Sequence, residues 1–487
     1  MVRTFGQLDM NYGNIGATSS INVGSSIDVS GISGQSTTTN LAGLVYPEYL
    51  FIQWAGFTFG KSASAYSTPW HGFPGNNTAY LVGGYDTVVG VNNAQYTWQF
   101  GNGVSATIGV DDNSPSAFNR TQVFNAALIP FLAGVAPTAA QPVPFTLNAA
   151  PGQGVATTAN QSNCNLGFYG APSSLCTVMG TAYSGTYAPD IVGNVRVDQA
   201  WGLFQFSAVA HDVSPSYWAA ANTYNASTLV GGTNQTGIEV FGHPSSKWGG
   251  AVAAALQIKN IPTGAGDDFK IEGTWGEGTT KYILGTAAPL PGSFYMTKGG
   301  PVGGGTIAIG AITDAVYGGW LTPLQAGVQL TRGWGLRGAF NHNWDPYWST
   351  SLFGGYAKIS YNDTAKTLWC ASFGGTLPNG LPLPLAFSGA ELAGGHPATP
   401  VPGSGYSCDP GFSMAQIGLV TRWTPVKNLT FSIEGMYSYL QTNMHGLSAG
   451  VTSSTFPIPS NNSLTGSIFQ FGNVGTANLN LRVQRNF

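Results

Sequence analysis

At 487 residues the chain is long enough for several soluble domains, yet only 8% of it is charged, against about a quarter in ordinary soluble proteins, and its 69 glycines are about twice the usual share. A net charge of -3 leaves no basic footprint for nucleic acid. No run of about 18 apolar residues exists to cross a membrane as a helix, since the most apolar stretch, 251–258 (AVAAALQI), is far too short.

The chain opens in alternation at 2–12, where Thr4, Leu8, Met10 and Tyr12 oppose Arg3, Gln7, Asp9 and Asn11. No charged region followed by an apolar one precedes this strand, so an export signal is expected to have been removed or not to belong to this chain. After a polar connection to Pro47, 49–54 (YLFIQW) and 57–65 (FTFGKSASA) are joined by Ala55 and Gly56 alone, a tight hairpin. Residues 90–100 (GVNNAQYTWQF) set Ala94, Tyr96, Trp98 and Phe100 against Gln95, Thr97 and Gln99, turn at Gly101-Asn102-Gly103, and return through 104–112.

The longest connection, about 113–189, carries no regular pattern, and a structureless loop of that size is improbable unless it does something. Later hairpins follow at 190–199 and 203–211, at 248–259 and 269–275 around IPTGAGD, at Trp344 and Ser351 around DPYW, and at 415–423 and 429–439 around TPVKN. Between them lie long loops, at about 212–246, 276–321, 362–413 and 441–475. The last strand, TANLNLRVQRNF, places Ala477, Leu479, Leu481, Val483 and Phe487 on one side and Asn478, Asn480, Arg482, Gln484 and Asn486 on the other.

Short and long connections therefore alternate, which predicts a transmembrane antiparallel up-and-down β-barrel in one domain spanning 1–487, with short turns at one end and long external loops at the other. The 13 Trp and 21 Tyr fit rings placed at two membrane interfaces. Fourteen strands are clear; the count becomes sixteen if 307–320 crosses the membrane and 324–343 divides in two. Cys164 with Cys176 and Cys370 with Cys408 each lie inside one long loop, which predicts loop-closing disulfides in an oxidising compartment rather than a metal site. The six histidines have no metal-ligand spacing, and no cofactor is expected.

Four stretches, AGFTFGK at 55–61, PDIVGNVRVDQAWG at 189–202, HNWDPYWSTSLFGGY at 342–356 and the terminal Phe487, together resemble the general porins of alphaproteobacteria, the rhizobial and Brucella type. The resemblance implies a homotrimer of sixteen-stranded barrels in the outer membrane, amid its lipid and lipopolysaccharide. Such barrels pass small hydrophilic solutes by diffusion, and their third external loop folds into the lumen. On that reading the loop at about 113–189 forms the constriction, with Asp111 and Asp112 at its base and Arg120 within it. By phase, Arg3, Lys61, Arg196, Lys270 and Arg422 are the wall charges expected to face it, Lys61 standing where the family places a basic residue. Few charges in the loop predict weak ion selectivity.

Alternatives are a substrate-specific channel, an outer-membrane hydrolase and a secreted β-rich adhesin. Gly446 to Gly450 matches G-x-S-x-G beside His445, but that motif needs a strand-to-helix elbow. Gly56 to Ser62 (GFTFGKS) falls one residue short of a P-loop and leads into a strand.

Overall fold

The computed structural model describes residues 2–11, 44–77, 81–85, 90–113, 121–125, 183–215, 243–285, 293–298, 305–318, 326–372, 399–400, 404–449 and 468–485. Its main element is a single antiparallel sheet of fourteen strands, each hydrogen-bonded to the strand before it in the chain. They are β1 (Val2–Asn11), β2 (Leu44–Trp54), β3 (Phe57–Ser62), β4 (Val91–Gly101), β5 (Val104–Asp111), β6 (Asp190–Asp198) and β7 (Gly202–Val213). The second half comprises β8 (Lys247–Lys259), β9 (Asp268–Glu277), β10 (Arg332–Asn343), β11 (Trp348–Ser360), β12 (Phe412–Val426), β13 (Leu429–Thr442) and β14 (Val474–Arg485).

Period-two alternation sets the register, because a one-residue slip would move every side chain of a strand to the wrong face. Leu352 lies opposite Leu419, Leu419 opposite Gly435, and Gly435 opposite Leu479, while one step away Glu434 pairs Val420 and Asn480. One face of the sheet is thereby apolar and open to its surroundings: Ile52, Phe59, Ile108, Val195, Phe206, Leu336, Leu352, Leu419, Ile433 and Leu481 are all exposed. A monomer in water rarely leaves more than a few hundred Å² of contiguous apolar surface exposed, whereas this band runs from β2 to β14. Aromatic rings border it at both ends. Trp248, Trp275, Trp334 and Tyr356 lie toward the long loops, and Trp54, Trp98, Trp201, Trp348 and Trp423 lie toward the short turns. On β11, Trp348 and Tyr356 stand about 27 Å apart at strand rise, close to the height of a bilayer's apolar band.

The short turns use residues suited to them. Ala55 and Gly56, and Asn102 and Gly103, adopt positive φ as a two-residue hairpin requires. A Cβ on Gly103 would come within 1.9 Å of the Asp198 carbonyl oxygen. At the 260–267 turn, Asp267 accepts hydrogen bonds from Thr263 (2.6 Å), His342 (2.6 Å) and the backbone N–H of Asn343 (2.8 Å).

In the two uncertain stretches the described residues divide between the main sheet and smaller ones. Gly305–Ala311 belongs to a separate five-stranded sheet, and Ala315–Gly318 to a three-stranded one with Ala326–Leu330 and Val123–Asn125. Of 324–343, only Arg332–Asn343 joins the main sheet. These small sheets pack on an apolar core that includes Phe294, Met296, Ile312, Leu368, Phe412 and Leu440 at the loop end. Asn362 begins helix α1 (Asp363–Ser372) by accepting from the Ala365 N–H at 2.8 Å.

Cys370 of that helix is bonded to Cys408, closing a sequence separation of 38 residues; Cys164 and Cys176 lie outside the described residues. Cross-linking a loop of that length contributes roughly 2 to 4 kcal/mol. Reduction is thus expected to lower the thermal midpoint measured by circular dichroism in detergent, and an unchanged midpoint would contradict it.

Candidate functional site

The opposite face of the sheet is polar, and one connection lies across it. Between β3 and β4 the chain leaves the ladder at Ser62, and its described residues 63–77 and 81–85 form the two limbs of a strap. Three tight turns in succession, closed by Ser67 N–H to Ser64 O (3.1 Å), His71 N–H to Thr68 O (3.0 Å) and Phe73 N–H to Trp70 O (2.8 Å), build its outward limb. Pro69 and Pro74 donate nothing there, so the strap offers mainly carbonyls, which need donors when buried.

The period-two polar face supplies them. Gln205 of β7 donates to Ser67 O at 2.8 Å, and Asn194 of β6 to Ala65 O. Lys270 of β9 and Asn341 of β10 donate to Pro74 O at 3.3 and 3.1 Å, and Arg422 of β12 to Gly75 O. At the far tip Asn77 donates its N–H to Glu434 and its amide to Ser432 (2.6 Å) on β13, and accepts from Arg482 of β14 at 2.7 Å.

The returning limb is fixed by Arg337 of β10. Its guanidinium donates to Leu81 O (3.2 Å), to Tyr85 O and to the Glu272 carboxylate of β9 (2.6 Å), which also accepts from Thr68 at 2.7 Å. Arg337 is 1% and Glu272 4% exposed, so the pair is desolvated and held by its neighbours. Gly83 has φ +103, and a Cβ there would lie 2.4 Å from Leu336 O, so glycine lets the strap touch the wall. Tyr66 packs edge-on against Tyr85 and Tyr282; burial drives its hydroxyl pKa well up, against the bond to Thr274 (2.9 Å), and keeps it protonated.

This threading dictates curvature. β3 and β14 stand third and fourteenth in the sheet, about 50 Å apart if it were flat at about 4.8 Å per strand. The limb from Ser62 to Asn77 could reach that far only if almost fully extended, about 50 Å, and its three turns forbid it. The sheet therefore wraps around its own connection, apolar side outward.

Beside the strap, toward the short turns, an open cavity of about 480 Å³ is lined by Pro74, Gly75, Lys259, Asp268, Lys270 and Arg422 among others. Lys270 pairs with Asp268 at 3.1 Å, and Asp198 receives both Arg196 (2.9 Å) and Lys259 (2.6 Å). Burial first, and then the Arg196 charge, hold the His71 imidazole at about 4, so it is neutral at neutral pH.

The residues proposed from sequence divide accordingly. Arg196, Lys270 and Arg422 lie on the polar face near the strap. Lys61 does not: register sets it opposite Leu50 and in phase with Phe57 and Phe59, on the apolar outer face, because the alternation of β3 continues through Gly60. Asp111 is fully buried at the loop end of β5, opposite Asp190, and so does not line the cavity; Asp112 lies one residue beyond, near Asn92. Arg3 occupies a register position opposite Gln53, and Arg120 lies outside the described residues.

The described ends of the 113–189 connection pack at the loop end. There Asp314 accepts from Tyr183 (3.0 Å) and from the N–H groups of Thr121 (2.9 Å) and Thr280 (2.7 Å). Residues 126–182 lie outside the described residues. Among those described, the connection lying on the polar face is the strap of 63–77 and 81–85. Length singled out 113–189, whose middle lies outside the described residues; the strap's own signature is its run of small residues and prolines opposite a donor-rich wall. Glu272, Arg337 and Glu434 were missed, although they share the inward phase with Lys270 and Arg422.

A membrane-facing sheet wrapped around a polar interior that its own loop narrows defines a porin-type outer-membrane channel. The chain belongs to a porin subfamily, whose family model matches residues 1–467. No curated protein sequence matches it. Among solved structures it is similar to the outer membrane channel DcaP of Acinetobacter baumannii, with a TM-score of 0.42 and 9% identity over 92% of this chain and 78% of that one. The channel is not an enzyme. Ser448 of the G-x-S-x-G stretch sits in the short strand Leu447–Ala449, and β3 leads into the strap rather than a helix.

Proposed function

We propose that β1 and β14 close the sheet into a barrel of the alphaproteobacterial general-porin type, one domain to each chain, through which small hydrophilic solutes and ions diffuse with weak selectivity. Three barrels assemble as a homotrimer among lipopolysaccharide and lipid. The polar wall bound to the strap, with a cavity left beside it, carries this reading. It narrows an aqueous path without filling it. Outward glycines such as Gly193 and Gly273, in phase with Ile191 and Ile271, favour close approach of neighbouring barrels.

Planar-bilayer recording and liposome swelling test the reading on one sample. Stepwise conductance is expected, together with sugar influx that falls with solute size; a heat-modifiable barrel that conducts nothing would refute it.

A further inference from the structure

The wall carboxylates and the wall cations are used unequally. Glu272 and Glu434 are almost fully buried, committed to the strap through Thr68 and Asn77 and to Arg337 and Asn480 on the wall. Asp268 is saturated by Lys270, by Asn341 (2.6 Å) and by Gln257, and Asp198 is shared by two cations. Among the described residues, Arg422 and Arg482 have no carboxylate partner within 4.0 Å; they donate to Ser351, Gly75 and Asn77. Around the strap and its cavity six described cations thus face five described carboxylates, the fifth being Asp267 at the turn that rims the cavity. Further along the wall, Asp111 and Asp190 are buried at the loop end beside His211. Asp190 lies about 20 Å along β6 from Arg196, beyond the screening length of about 10 Å at 0.1 M salt.

We propose that this cavity is a subsite for small anions, carboxylates being the organic class it suits, and that it gives the channel's weak selectivity an anionic sign. The proposal rests on the channel reading above. One excess positive charge screened at this range favours anions over cations by roughly twofold to threefold at 0.1 M salt, and by almost nothing at 1 M. The Gln257 amide, which gives one of its two hydrogens to Asp268, adds a donor that a carboxylate can use.

Reversal potentials across a potassium chloride gradient, and then a potassium acetate gradient, test it. Wild-type protein is expected to favour chloride and acetate over potassium. The double variant Lys259→Gln/Lys270→Gln, with heat-modifiable migration confirming its fold, is expected to cross zero to the potassium side. Arg332→Gln, on the outer face beside Glu277, is expected to retain the wild-type potential. A wild-type potential at zero or on the potassium side, or one that the double variant leaves unmoved, overturns the anion subsite while leaving a conducting porin. A folded protein that passes no current overturns the channel reading and this one together.

Discussion

Arg337→Ala is expected to yield a barrel that still assembles but conducts more current with greater noise and admits larger sugars. Arg337 ties two strap carbonyls, Leu81 O and Tyr85 O, and the Glu272 carboxylate to one wall position. Removing it leaves a carboxylate that is 4% exposed with Thr68 as its remaining described donor, and two carbonyls without this donor. Breaking a buried pair from one side costs about 3 to 5 kcal/mol, most of it the penalty of the abandoned charge. Glu272→Gln in the same chain removes that charge and should recover much of the stability without retying the strap. Thermal midpoints and single-channel conductance of the two single variants and the double variant form the cycle. Wild-type values of both in Arg337→Ala would show that the returning limb is held elsewhere.

The same residues show where sequence reading succeeds and where it stops. The faces of β14 were legible from Leu479, Leu481 and Val483 against Asn478, Asn480 and Arg482, because a strand has only two sides and this one separates oil from water. The 260–267 and 424–428 turns were legible for a similar local reason: Gly, Pro and Asn punctuate short connections. Lys61 misled because a lone cation in a strand is normally assigned to the wet side, whereas its neighbours Phe57 and Phe59 fix its phase outward. The strap stayed hidden because its partners lie hundreds of residues away. Asn77 meets Glu434 and Arg482, and Leu81 meets Arg337, through backbone carbonyls and N–H groups that leave no side-chain pattern. Loop length marked 113–189, yet what binds the strap in place is the spacing of donors on six strands, β6, β7, β9, β10, β12 and β14, and of acceptors on β13.

Leu481→Arg tests the orientation on which every other assignment depends. Leu481 is 76% exposed and stands opposite Ile433 in the register of β13 with β14, one outward row from Leu479, whose row lies midway between Trp348 and Tyr356. If water bathed that face, exchanging an exposed leucine for arginine would cost little, since exposed apolar side chains gain nothing from their setting. Against hydrocarbon at mid-depth the guanidinium costs about 2 to 4 kcal/mol, falling toward zero near the interfaces. The expected result is a loss of that size in reversible unfolding from lipid vesicles. The paired variant Asn480→Arg, one residue along and turned to the polar side near Glu434, should lose far less. A depth series supplies the control for general damage: Arg at Leu479 or Val483, each two residues from Leu481 on the same face, samples neighbouring depths, and only a lipid environment makes the cost follow distance from the bilayer centre. Equal stability of Leu481→Arg and Asn480→Arg would place the greasy side of the sheet outside the membrane, and the polar wall, the strap and the cavity would then need another explanation.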